Sequence, residues 1–349
     1  MKMIRTFHPV GHGAFYTERF YDDNDDNIAN VVFDCGTRSK ARQLNAEIKK
    51  LQMDGMKKIN AIFISHFHTD HISKIDALLR IFTVNSLYVP VLTKNIILEG
   101  FLYNFIITKH AYCRANRFLR RLYDDKILDV KIYQIRENSM KIIDTIAPSP
   151  WKYIPFSLDN DSDKLVKTLQ TDPDFNAVFC NDRVDTFRMV RTMRRVGVKK
   201  CKEIYESVYG KERHNSYSLT LVSGISNCGQ HCAYNPYLLV DEDYKFCPLN
   251  CLYTGDFEAS NNDNFAKLKK FYSEYWDSIG ILQVPHHGSE HNLNCGLYTP
   301  PKLCIISAGI KDRYGHPDQQ TLKAIHRMGC QYRKVTEKPE TKMKFEINI

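Results

Sequence analysis

The spacing of apolar positions divides the chain into short β-branched runs and longer helical stretches. Residues 3 to 20 read as two strands joined by the turn Gly11-His12-Gly13, and 30–34 as a third strand that ends in Asp34-Cys35-Gly36. Over 39–53, Leu44, Ile48 and Leu51 recur at helical spacing, with Asp54-Gly55 as the stop. A buried strand over 59–65 follows, with a second helical stretch over 72–81. Strand character returns at 217–223, 252–254, 280–284 and 303–307, and helical spacing at 264–275 and 319–328. Strands that alternate with helices in this order predict a layered α/β fold.

The middle of the chain interrupts that rhythm. Residues 87–213 are helix-rich, aromatic and basic, with one extended segment at 147–155. The simplest organisation is a single domain over 1–349 whose core halves, about 1–86 and 214–349, flank a helix-rich basic insertion over 87–213. No internal repeat and no low-complexity tract is evident. Trp151 and its aromatic neighbours are expected to pack in the core rather than line a cleft.

Composition refines the picture in a few places. An apolar content of 43% supports a substantial core, and no run reaches the ~18 apolar residues that would span a bilayer. The N-terminus lacks the apolar region of a signal peptide, so a cytoplasmic location is expected. Eleven irregularly spaced cysteines then fit reduced thiols better than a disulfide framework. Cys228, Cys232, Cys247 and Cys251 form two Cys-x3-Cys pairs that could hold a structural zinc ion, although incidental thiols in a hairpin are the preferred reading.

The formal charge of +9 is concentrated in 109–121 and 183–213, and such patches attract phosphates and nucleic acid. Within the second, Arg188, Arg191, Arg194 and Arg195 occupy one side of an amphipathic stretch. Arg191 and Arg195 are therefore expected to bind an anionic substrate, with a dimerisation element and hence a homo-oligomer as the competing role.

Candidate chemistry sits at strand ends. Ser65-His66-Phe67-His68-Thr69-Asp70-His71 places three imidazoles and a carboxylate directly after a buried strand, a donor set suited to zinc and tolerable for manganese. Asp256 follows the 252–254 strand, His286 and His287 follow the next, and His316 lies beyond the 303–307 strand. Ligands that repeat at strand ends converge along one rim of a sheet.

These residues resemble a known family. His66-Phe67-His68-Thr69-Asp70-His71 matches the HxHxDH signature of the metallo-β-lactamase superfamily. Val10-Gly11-His12-Gly13, Phe33-Asp34-Cys35-Gly36, Asn215-Ser216-Tyr217-Ser218, Tyr253-Thr254-Gly255-Asp256 and Pro285-His286-His287-Gly288-Ser289 resemble segments of the metallo-β-lactamase domain of the ComEC/Rec2 competence proteins. Ser307-Ala308-Gly309 with Tyr314-Gly315-His316-Pro317 is similar to that domain's closing motif.

The resemblance implies an αββα sandwich and two divalent metal ions, zinc or manganese. His66 and His68 would hold the first, Asp70 and His71 the second, and Asp256 would bridge them. Either His286 or His287 would complete the second site. The family's further histidine ligand has no obvious match, which leaves Asn215 or a water for the first site. The transmembrane channel of the competence proteins has no counterpart, so DNA transport does not carry over.

A metal-activated water would then attack a phosphodiester of DNA, RNA or a nucleotide. Asp70 would act as ligand and proton acceptor, while His316 and the non-ligating histidine of the 286/287 pair would steady phosphate oxygens or protonate the leaving group. Asn215, Ser218 and Ser289 are expected at the substrate, and Asp34 as a carboxylate that fixes a ligand imidazole. Two alternatives compete: a hydrolase of a small-molecule ester, lactone or thioester, and a non-catalytic nucleic-acid-binding protein.

Overall fold

Runs such as Asn30-Val31-Val32-Phe33 and Leu303-Cys304-Ile305-Ile306 are rich in β-branched or aromatic residues and buried on both faces, which suits strands covered from two sides. The structure is a computed structural model that describes residues 1–127, 129–137, 142–159, 162–181, 183–210, 217–225, 247–311 and 315–349.

The first half runs β1 (Lys2–Phe7), β2 (Phe15–Tyr21), β3 (Asn27–Cys35), α1 (Ala41–Met53), β4 (Lys58–Ile59), β5 (Ala61–Phe63), α2 (Thr69–Ile72), α3 (Ile75–Ile81), β6 (Thr83–Val84), β7 (Ser86–Pro90), α4 (Lys94–Thr108), α5 (Arg114–Tyr123) and β8 (Lys131–Ile135). It continues through β9 (Lys152–Phe156), α6 (Lys164–Thr171), the small ribbon β10 (Phe179–Cys180) and β11 (Arg183–Val184), and α7 (Thr186–Tyr209). The closing part holds β12 (Thr220–Gly224), β13 (Asn250–Tyr253), α8 (Asn262–Phe271), β14 (Ile279–Gln283), β15 (Leu303–Ser307), α9 (Gln319–Arg327), β16 (Gln331–Val335) and β17 (Met343–Asn348).

Two large sheets result, in the orders β17-β1-β2-β3-β5-β7-β8 and β16-β15-β14-β13-β12-β9. Alternation along each strand sends neighbouring residues to opposite faces. Phe33 and Tyr253 meet between the sheets in one core, together with Phe63, Tyr153 and Ile305. Val32 and Ile62 instead pack outward against Leu44 of α1, Phe101 of α4 and Met193 of α7. Leu252 and Leu282 pack against Leu268 of α8 and Ile325 of α9. The architecture is thus an αββα sandwich with three apolar layers. Each fully buried large side chain contributes about 1.5–3 kcal/mol of transfer free energy.

Two expectations change, and a third, the burial of Trp151, holds. Residues 87–213 are not a separate insertion: β7 and β8 extend the first sheet and β9 edges the second. Their pairing partners are core strands, β5 for β7 and β12 for β9, so periodicity in the intervening helices hid their place. Trp151 is fully buried, and its Nε1 donates to Ser223 Oγ at 2.9 Å. Cys247 is disulfide-bonded while Cys35, Cys251, Cys304 and Cys330 are free, which removes one thiolate from the four-cysteine zinc site considered above. Cys228 and Cys232 lie outside the described residues. Among the described residues, no helix is long and apolar enough to cross a membrane.

The parallel pairings fix the functional rim. β3 runs parallel to β5, and β13, β14 and β15 run parallel to one another, so their C-terminal ends open on the same edge.

Candidate metal centre

Each strand end at this rim delivers a polar residue. Asp34, the penultimate residue of β3, lies in the left-handed region (φ 55°) with its carboxylate toward the segment after β5. There Asp34 Oδ1 accepts from Ser65 N at 2.7 Å and Oδ2 from Ser65 Oγ at 2.6 Å. After β13, Gly255 (φ 55°) lets the chain pass so close to Ser65 that a Cβ at 255 would stand 2.4 Å from Ser65 Cβ. The Gln283 side chain of β14 accepts from Thr254 N and Gly255 N at 2.8 and 2.7 Å, and Ser218 Oγ accepts from Asp256 N at 3.1 Å. After β14, His286 and His287 both have positive φ, 47° and 57°, an uncommon backbone state for residues with a Cβ.

Five imidazole nitrogens and two carboxylates converge. His66 Nε2 lies 3.5 Å from Asp256 Oδ2, His71 Nε2 3.1 Å from Asp256 Oδ1, and His286 Nε2 3.7 Å from Asp256 Oδ2. Around the other carboxylate, His12 Nε2 lies 3.3 Å and His287 Nε2 3.6 Å from Asp70 Oδ2. Two donor groups emerge among the described residues, His66-His71-Asp256 and His12-Asp70-His287, all of them buried.

The residues fit divalent cations. Two ligand atoms about 2.1 Å from one ion at a tetrahedral angle stand roughly 3.4 Å apart, which is the spacing seen around both carboxylates. His66 Nε2, Asp70 Oδ1 and His287 Nε2 are also buried without a well-aligned hydrogen bond, an arrangement that is costly unless something else occupies those lone pairs.

Outer contacts set the ring states. His71 Nδ1 donates to Asp34 Oδ2 at 2.7 Å, His287 Nδ1 to the Ser307 carbonyl at 2.7 Å, and His286 Nδ1 to Asn292 Oδ1 at 2.8 Å. Each leaves Nε2 as the inward atom. Burial, reinforced by the neighbouring His71, holds the His66 pKa well below its usual range, and burial with His12 pushes His287 down to about 4. Both rings are neutral at pH 7 and therefore competent as ligands. Burial raises Asp70 and Asp256 toward neutrality, but the surrounding imidazoles outweigh it and keep both ionised, His12 and His287 for Asp70 and His286 and His71 for Asp256.

Of the residues singled out in the sequence, the structure brings together Asp34, His66, Asp70, His71, Asp256, His286 and His287. His68 is adjacent but belongs to neither donor group: its Nε2 meets Glu99 Oε1 at 3.0 Å and its ring stacks on Tyr103 at 3.5 Å. The His316 ring stands 6.0 Å from that of His286 and 6.3 Å from that of His12, with Nδ1 on Asp318 Oδ2 at 3.1 Å. Ser218 and Ser289 are buried and accept from the backbone, Ser289 Oγ from His291 N at 3.3 Å. Arg195 pairs with Asp174 at 2.9 Å and Arg191 lies over the Phe187 ring, partners that belong to the same 87–213 stretch. Asn215 lies outside the described residues.

Four contributors escaped the sequence reading. His12 sits between two glycines in the β1–β2 turn; its segment Val10–Gly13 was one of those that carry the family resemblance, but no ligand role was assigned to it. Arg38 Nη1 comes within 3.9 Å of Asp70 Oδ2 and 3.5 Å of the Tyr103 hydroxyl. Glu99 and Tyr103 come from the helical stretch, in which no ligand cluster was discernible.

Residues 29–127 match the family model of the beta-lactamase superfamily domain. Among solved structures, the chain is similar to a diphosphatase from the PhnP family, at 12% identity and a TM-score of 0.42 over 100% of this chain and 99% of that one. Similarity to unliganded yeast PDE1 covers 99% of each chain at 11% identity and a TM-score of 0.45. A long form RNase Z from yeast matches over 96% of this chain and 41% of its own, at 12% identity and a TM-score of 0.40. No curated protein matches the chain. The matched residues 29–127 carry Asp34 and the whole His66–His71 cluster, so the likeness to the beta-lactamase superfamily domain falls on that part of the centre.

Proposed function

We propose that the protein is a metal-dependent hydrolase of phosphodiesters, in nucleic acid or in a nucleotide. The observation that carries this reading is the pair of adjacent buried donor groups, His66-His71-Asp256 and His12-Asp70-His287, at one open sheet edge. Divalent ions bound there supply Lewis acidity, activating water and neutralising charge on phosphoryl oxygens.

The chain's own residues do the rest. Asp34, Ser307 and Asn292 fix the rings of His71, His287 and His286 so that the inward nitrogens are aimed before substrate arrives. Asp70, kept ionised by His12 and His287, accepts the proton of the attacking water. The Arg38 guanidinium, beside Asp70 and with its side chain 14% exposed, offers a fork of donors to nonbridging phosphate oxygens. His316, held by Asp318 at the rim, protonates the leaving oxygen. A cationic fork beside paired cation sites favours an anionic phosphodiester over a neutral lactone or ester.

The test compares zinc- and manganese-loaded protein on bis(p-nitrophenyl) phosphate, a lactone, a thioester and nitrocefin, for wild type beside Asp70→Ala and Asp256→Ala. Phosphodiester cleavage that both substitutions abolish supports the proposal. Cleavage of the lactone or thioester alone assigns a carbonyl substrate, and phosphodiester cleavage unaffected by either substitution rejects the site.

A further inference from the structure

His68 presents a contradiction that α4 resolves. It sits two residues from His66 with ring centroids 4.4 Å apart, yet its Nε2 points away from the donor groups to Glu99. Glu99 is itself buried and accepts three hydrogen bonds: from His68 Nε2 at 3.0 Å, Tyr205 Oη at 2.7 Å and Tyr217 Oη at 2.6 Å. An ionised carboxylate only accepts, so in the neutral form of the ring the proton resides on Nε2 and the lone pair on Nδ1.

Helix α4 grips the same loop at consecutive positions. Glu99 and Tyr103 are four residues apart and so share a helix face. Glu99 holds the edge of the His68 ring and Tyr103 covers its plane at an interplanar angle of 12°. Asn104 Nδ2 donates to the Phe67 carbonyl at 2.9 Å, and a Cβ at Gly100 would come within 3.3 Å of Phe67 Cβ. The partners of Glu99 extend the grip, since Tyr205 comes from α7 and Tyr217 from the segment that enters β12.

We propose that Glu99 is a positioning residue for metal binding: by taking the Nε2 proton of His68 it leaves Nδ1 as a ligand atom beside His66. This rests on the metal-dependent reading of the centre and deepens it. Helices of the 87–213 stretch thereby become part of the centre, and the tyrosines orient Glu99 rather than touch substrate. Loss of such an outer partner typically costs 10- to 100-fold in metal affinity.

The experiment reads the tautomer directly. Metal-free full-length protein carrying 15N-histidine is examined at pH 7.5 by long-range 1H–15N correlation, with His68 assigned from its loss in His68→Gln. Zinc affinity is measured in parallel by competition with a chromophoric chelator, and circular dichroism checks the fold of each variant. We expect His68 to carry its proton on Nε2 in wild type and in Tyr217→Phe. In Glu99→Gln, whose amide can donate, we expect Nδ1 protonation to appear and zinc affinity to fall at least 10-fold. A wild-type His68 protonated on Nδ1 overturns the proposal, and that measurement stands even if Glu99→Gln fails to fold. A folded Glu99→Gln with wild-type tautomer and wild-type zinc affinity overturns it too. Absence of phosphodiester cleavage alongside the expected tautomer and zinc results would reject the proposed reaction and leave the role of Glu99 intact.

Discussion

Asp34 Oδ2 lies 2.7 Å from His71 Nδ1, and the opposite nitrogen of the same ring lies 3.1 Å from Asp256 Oδ1. A carboxylate from the first sheet thus aims an imidazole at a carboxylate from the second. Asp34→Asn keeps the shape but removes the charge that fixes the ring. We expect zinc affinity to fall by roughly 10- to 100-fold with the fold retained, as measured by chelator competition and circular dichroism. Unchanged affinity would show that Asp34 only shapes its turn.

His12 is expected to matter for one donor group and not the other, because its Nε2 faces Asp70 while His66 and His71 face Asp256. His12→Ala should reduce the metal content of dialysed protein toward one equivalent. His66→Ala should do the same at the other group, and the double substitution should remove nearly all bound metal. Metal analysis of the three variants decides it, and full occupancy in His12→Ala would exclude that histidine as a ligand.

Gly255 tests how the two sheets meet. Its φ of 55° is unfavourable for other residues, and a Cβ would stand 2.4 Å from that of Ser65 and 2.6 Å from Ser218 Oγ. Gly255→Ala should cost about 1–3 kcal/mol of stability and displace Asp256. A lowered Tm together with weakened zinc binding is the expected pair of results, whereas a lowered Tm with wild-type zinc affinity would mean that Asp256 keeps its place.

The surface arginines distinguish a polymer from a small nucleotide. Arg191 and Arg194 are exposed, and Arg191 sits over Phe187 on α7. Reversing both to glutamate should raise KM for single-stranded nucleic acid several-fold and flatten its salt dependence, because each lost phosphate contact reduces counterion release. Hydrolysis of bis(p-nitrophenyl) phosphate should be unaffected. Equal KM and salt dependence in the variant would point to a substrate too small to reach this face.

Acid stability is expected to depend on Glu47, which pairs with His8 and Lys50 and belongs to neither donor group. Burial raises its pKa, but His8, Lys342 and Lys50 outweigh that effect and lower it from 4.5 to about 2. The folded state therefore binds this proton less readily than the unfolded state, and the resulting stability is present above about pH 4.5 and lost as pH falls toward about 2. Glu47→Gln should be less stable at pH 7 and lose less stability between those limits, as read from denaturant midpoints against pH. Parallel acid curves for the two proteins would contradict the assignment.

How much the sequence disclosed differs from one part of the centre to another. His66, Asp70, His71, Asp256 and the His286-His287 pair were legible because each follows a short apolar strand run within a few residues, and strand ends are local features. A layered α/β fold was likewise readable from the alternation of strand and helix periods, whereas the αββα arrangement was implied by the family resemblance. By contrast, β7 and β8 were lost inside a helix-rich stretch and β9 was read only as an extended segment. Strands β7 and β9 are buried along nearly all their length and have no amphipathic period to display, and β8 is a short edge strand of five residues.

The sequence by itself thus determined which donors are available and that they gather at the ends of parallel strands. Only the tertiary structure decided how they are grouped and in what protonation state. The His66–His71 segment alone permits His66 and His68 to act as equals, but packing turns one ring toward Asp256 and the other toward Glu99. His12 and Glu99 enter from a glycine turn and from α4, where their spacing in the chain carries no metal signature. The physical reason is that a ring's tautomer and aim are set by whichever carboxylate or carbonyl packs against it, and that partner is chosen by the fold rather than by neighbours in sequence.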